Sequence, residues 1–199
     1  SESWQADLDQ TPADPSQPRK VWQIEKPLPM QVHQWHGARV VRLTLPPRSW
    51  SRHHDVSVEA FCRSWFAAER FDLVHAHSIQ ELGIGPLTAA RELGIPYVVT
   101  LHDGWWLSPR QFLTTPSGRP VDVRDPLGHM DVKGAFDAEQ QQLDRQRRTE
   151  LDQMLAGAAA RLAVSQAFAE LHEQAGIADV SVMENRWQPM PAAGPRCKR

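Results

Sequence analysis

The chain has 199 residues, 41% apolar and 23% charged, which is enough for one domain with a real core and unlike a disordered or fibrous composition. A net charge of -2 with His neutral gives no general reason to expect a nucleic-acid partner. Two cysteines, Cys62 and Cys197, argue against a disulfide-stapled secreted fold and leave no Cys-x-x-Cys zinc spacing.

Both cysteines fit a reducing cytoplasm, Cys62 as packing in an apolar stripe and Cys197 in a basic tail. No run of about 18 apolar residues is present to span a bilayer, and the N-terminus lacks a charged-then-apolar leader. Residues 1–20 are polar and rich in Pro, and read as a flexible N-terminal segment. The organisation expected is one domain over 21–187, closed by a linker or tail at 188–199 (QPMPAAGPRCKR).

In chain order, VWQI (21–24) suggests a short strand, and ARVVRLTL (38–45) a strand closed by Pro46-Pro47. From Asp55 onward, Val58, Phe61, Cys62, Trp65 and Phe66 recur at helical spacing, with Asp55 as N-cap. DLVHAH (72–77) reads as a strand, GPLTAAREL (85–93) as a helix stopped by Gly94, and PYVVTLH (96–102) as a strand. Residues 104–133 carry four prolines and no periodicity, the kind of long irregular segment that is usually functional or disordered. A charged helix is expected over about 134–158. RLAVS (161–165) then gives a strand, QAFAELHEQAG (166–176) a helix and DVSVMEN (179–185) a strand. The charges of the long helix, Asp137, Glu139, Asp144, Arg145, Arg147, Arg148, Glu150 and Asp152, read most simply as a solvated face.

Strands alternating with helices imply an α/β fold with a parallel sheet covered on both faces. Ligands in such folds bind beyond the carboxyl ends of the strands. Three strands end there in polar groups. His75 and His77 share a strand face; His77, nearer the edge with Ser78 after it, is the candidate ligand contact, and His75 reads as a hydrogen-bonded core histidine. His102 follows the last apolar residue of its strand and can donate to a sugar hydroxyl or move a proton near neutral pH. Asp103 could orient it, bind a hydroxyl, or simply cap the next turn. Gly104 would let backbone approach a ligand. Of Trp105 and Trp106, one is expected to stack on a sugar ring and the other to pin the loop. Arg110 could hold a phosphate or carboxylate, or be a surface residue. Ser165 reads as an N-cap whose helix end also faces the site.

The segment FDLVHAHSIQELGIGPLTAARELGIPYVVTLHDGWWLSPR (71–110), followed by RTELDQMLAGAAARLAVSQAFAELHEQAGIADVSVMEN (148–185), resembles the N-terminal domain of family 4 glycosyltransferases. The ordered series D-x-V-H-A-H, G-I-P-x-V-x-T-x-H-D, a Trp-rich loop ending in Pro-Arg, and A-x-R-x-x-V-S carries the resemblance over roughly residues 71–186. It implies one Rossmann-like half of a GT-B enzyme: the acceptor side of a retaining, nucleotide-sugar-dependent transferase working without a catalytic metal. It also implies His102 beside the reacting carbon, Asp103 and the following loop around the acceptor, Ser165 bordering the cleft, and Asn185 at the domain's end. The acceptor class it suggests is a sugar or glycolipid, with loose association to the inner membrane face. The donor would bind mainly to a second domain, for which 199 residues leave no room, so this chain is expected not to turn over alone. Two departures stand out: no glycine-rich loop follows a first strand before residue 83, and Asn185-Arg186 stands where the family has Asn-Gly. Two other readings stay open: a metal-dependent hydrolase using His-x-His and His-Asp, and an interaction domain that has lost its chemistry.

Overall fold

The computed structural model describes residues 28–47, 52–131 and 138–185. The strand expected at 21–24, the 1–20 segment, Asp137 and the 188–199 tail lie outside them.

Residues Met30–Trp35 (β1) and Ala38–Leu43 (β2) form an antiparallel hairpin in which Val32 faces Val41. Its two-residue loop is His36-Gly37, both at positive φ (47° and 81°), as a type I′ turn requires. The strand expected at 38–45 therefore exists, but it pairs with an unforeseen partner and stays outside the main sheet.

Helix Val56–Glu69 (α1) begins where expected. The Asp55 carboxylate accepts from the backbone N–H of Ser57 (2.8 Å) and Val58 (3.2 Å), satisfying two of the orphan donors of the first turn. Its stripe of Val58, Cys62 and Phe66 is buried, and burial pushes the Cys62 thiol up to about 12, which leaves it an inert packing group. Helix Gly85–Glu92 (α2) packs closely on α1: a Cβ on Gly85 would stand 2.9 Å from the backbone N of Glu59. The glycine serves helix–helix contact there.

Strands Val74–His77 (β3), Tyr97–Leu101 (β4), Ala160–Ala163 (β5) and Val180–Val182 (β6) make a parallel sheet in the order 3-4-5-6. The chain is α/β, as the alternation of strand and helix signals requires. Helices α2, Ala138–Ala156 (α3) and Gln166–Gln174 (α4) connect these strands in succession. Tyr97, Val99 and Leu101 all point to one side and are buried, and the Tyr97 hydroxyl donates to the Met154 carbonyl of α3 (2.7 Å). On the opposite side of the sheet stand His75 and His77, both exposed. The expectation of a core position for His75 is thus corrected: the crossover helices do not cover that face of β3.

The charged helix also departs from its expected role. Arg145 and Glu139 are exposed, but Asp144, Arg147 and Arg148 are buried at 4%, 1% and 5% exposure. The reason lies in the irregular segment below them. The carbonyls of Trp105, Leu107 and Val123 lie outside any strand, and buried carbonyls need donors. Arg147 donates to the Trp105 carbonyl and lies 5.0 Å over the Trp105 ring. Arg148 donates to the carbonyls of Leu107 (3.3 Å), Val123 (2.9 Å) and Ala175 (2.8 Å), and to Asp152 (2.8 Å). Asp144 meets His129 at 3.0 Å. These bonds tie the 104–131 segment to α3. No helix among the described residues is long and apolar enough to cross a membrane.

Candidate functional site

Because β3, β4 and β5 are neighbours, their carboxyl ends lie in a row. β3 ends on His77, β4 is followed by His102 and Asp103, and β5 leads to Ser165. The register that sets His77 beside Thr100 puts His102 just past the end of β3, and the two rings meet: His77 Nδ1 and His102 Nε2 are 2.9 Å apart. His75 lies against His77 with centroids 4.0 Å apart, and its Nε2 is 2.8 Å from the Thr100 hydroxyl. Three imidazoles therefore share the end of two strands. Although His77 is exposed, the limited desolvation of its ring, reinforced by the neighbouring His75 and His102, holds it below the ordinary histidine range. The His102 ring is half-buried and so open to a ligand.

Asp103 is bound to the turn rather than to His102. One carboxylate oxygen accepts from the Trp105 N–H (2.9 Å), capping a single 3-10 turn over Gly104–Trp106; the other accepts from the Gln80 amide. Gln80, in the loop after β3, was missed by the sequence reading; only its position within a strand-end loop signalled it.

Gly104 and the two tryptophans differ from expectation. Gly104 is buried, its N–H donates to the Gln111 carbonyl (2.8 Å), and the Leu113 side chain fills the space a Cβ would take. The room left by the missing side chain is occupied by the protein's own loop. Trp105 and Trp106 are 1% and 4% exposed and pack edge-to-face at 5.3 Å. Neither ring presents a face for a sugar, so the stacking role expected of one of them is corrected: both pin the loop, because a segment without regular structure needs large apolar anchors.

Ser78 is exposed in the left-handed region (φ 45°) just beyond β3. Ser165 caps α4, its hydroxyl accepting from the Phe168 N–H at 3.3 Å. Arg110 is exposed. It lines an open groove of about 390 Å³ with Pro109, Gln111, Phe112, Thr114 and Thr115, in which Phe112 is 82% exposed. The Gly104–Gln111 hydrogen bond joins this groove to the His102–Asp103 turn. Arg147, which the sequence reading placed on a solvated face, supports that turn from beneath. Burial lowers its guanidinium to about 10, and it remains charged at neutral pH. Among the described residues no group of three or more His, Cys, Asp and Glu is arranged to hold a metal ion.

A parallel α/β sheet with its polar groups gathered at the strand ends defines a Rossmann-like half-domain of the GT-B kind. The Glycosyltransferase Family 4 model matches residues 11–185, and the chain belongs to that family as an N-terminal domain. No curated protein and no solved structure matches the chain.

Proposed function

We propose that this chain is the acceptor-side domain of a nucleotide-sugar-dependent retaining glycosyltransferase of hexosyltransferase type, inactive without a donor-binding domain. The observation that carries the reading is the His102 imidazole, half-buried at the end of β4 and beside an Asp103-capped turn. A group so placed can meet a hydroxyl in a cleft without being sealed away, and positioning of donor against acceptor supplies much of the rate in such a reaction. Ser78, Arg110 and Ser165 are the acceptor contacts in this reading. The groove over 109–115 takes the part of a sugar or glycolipid acceptor remote from the reacting hydroxyl. The donor, and any cofactor chemistry, belong to the second domain. Placement of the protein in the cytoplasm, near the inner membrane face, is part of the same reading.

Two measurements test it. In a protein carrying both domains, His102→Ala should lower sugar transfer by about a hundredfold or more, the range for a group acting in proton transfer; unchanged transfer removes the reading. Calorimetric titration of this chain with UDP-glucose and GDP-mannose should show no saturable submillimolar binding. Tight donor binding would overturn the division of labour.

A further inference from the structure

The His77–His102 contact fixes more than proximity. A single hydrogen bond between two neutral imidazoles needs one N–H and one lone pair, and the 2.9 Å separation joins Nδ1 of His77 to Nε2 of His102. Two assignments satisfy it. If His77 Nδ1 carries the proton, His102 Nε2 must be bare, and both rings are then in the Nδ1–H form. If His102 Nε2 carries it, His77 Nδ1 is bare, and both rings are in the Nε2–H form, which the free side chain favours. The second assignment keeps each ring in its preferred tautomer; the first displaces both.

We propose that His77 is a positioning residue: it accepts the Nε2–H of His102 and so leaves His102 Nδ1 as a hydrogen-bond acceptor for a hydroxyl of the bound ligand. His77 would then touch the ligand only through His102, which revises the direct contact read from the sequence. Only the ligand's hydroxyl rests on the transferase reading; the dyad itself does not.

The surroundings suit this role. His77 is held by the His75 ring at 4.0 Å, and His75 is fixed in turn by the Thr100 hydroxyl at 2.8 Å. The His77 and His102 rings are tilted by 42° with centroids 5.2 Å apart, an edge approach rather than a stack. His102 makes no other hydrogen bond among the described residues through its ring, so Nδ1 is available. The strand end also favours a neutral acceptor at His77, since limited desolvation and two neighbouring imidazoles disfavour its charged form. The Asp103 carboxylate is turned to Gln80 and Trp105 and does not compete for His102.

The test is nitrogen NMR on the whole chain labelled with ¹⁵N-histidine at pH 8, with His77→Gln and His102→Gln used for assignment. The expected spectrum has a protonated Nε2 and a bare Nδ1 on His102, and a nitrogen–nitrogen coupling from that Nε2 to His77 Nδ1. A protonated His102 Nδ1, or no coupling, overturns the proposal. Solvent exchange of the His102 Nε2 proton gives a second readout. His77→Ala should speed it about tenfold, the equivalent of one hydrogen bond, and His77→Gln, whose amide oxygen can accept, should restore most of the protection. Equal exchange in all three proteins would also overturn the proposal. None of these readouts needs a transfer reaction, so failure of the dyad and failure of the transferase reading are told apart.

Discussion

His172 gives the protein a pH-dependent stability that can be worked through from the structure. The residue is fully buried in α4. Its Nδ1 lies 2.8 Å from the Phe168 carbonyl and must donate to it, and its Nε2 is buried without a partner. A proton added at Nε2 would sit in the interior unpaired. Burial, with the Arg148 charge as a smaller contribution, accordingly lowers its pKa from the ordinary 6.5 to about 4. The folded chain then binds fewer protons at this site than the unfolded chain between those two values. Stability is therefore fully present above about pH 6.5 and is lost as the pH falls toward 4. The shift corresponds to roughly 3 kcal/mol. The perturbation is His172→Leu, which removes the titrating group and keeps an apolar side chain in the helix. Urea unfolding of both proteins at pH 7.5, 6, 5 and 4 isolates the effect, because the other titrating groups cancel in the difference. The wild type should lose roughly 3 kcal/mol more than the variant over that range. Parallel pH profiles would refute the reasoning and place a counter-charge or water at Nε2.

Arg148→Met strips donors from the Leu107, Val123 and Ala175 carbonyls and should cost about 3 kcal/mol in urea unfolding, at about 1 kcal/mol or more for each acceptor left unpaired; a cost under about 1 kcal/mol would show that those carbonyls find other donors. Asp55→Ala removes the α1 cap and should cost about 1 kcal/mol with an unchanged urea slope. Gly104→Ala forces the Leu113 side chain and the Gln111 carbonyl away from the strand-end turn; it should cost about 1–3 kcal/mol by overpacking, measured by thermal unfolding, and wild-type stability would show that the loop yields freely.

Much of the regular structure was legible because its signals are local. The stripe from Val58 to Phe66 with Asp55 before it, the runs around Val74, Val99 and Leu162, and the Ser165 cap each depend on residues within one or two turns of each other. The hairpin partner of β2 was not read, although MQVHQW alternates and His36-Gly37 supplies a turn residue pair; the missing Asn-Gly or Asp-Gly signature hid it. The strand-end location of His77, His102, Asp103 and Ser165 was also readable, since a parallel sheet sends its loops to one side.

The sequence by itself settled the α/β class, the family series and the polar strand ends, all of which follow from spacing along the chain. The tertiary structure alone decided how those groups meet: that His75 stands in the open, that Trp105 and Trp106 are interior, that Arg147 and Arg148 are buried donors, and that His77 addresses His102. Each of these depends on which strand neighbours which and on which face the crossovers cover. Residues 25 or more positions apart are brought within hydrogen-bonding distance by sheet register and loop packing, and no local periodicity records that contact.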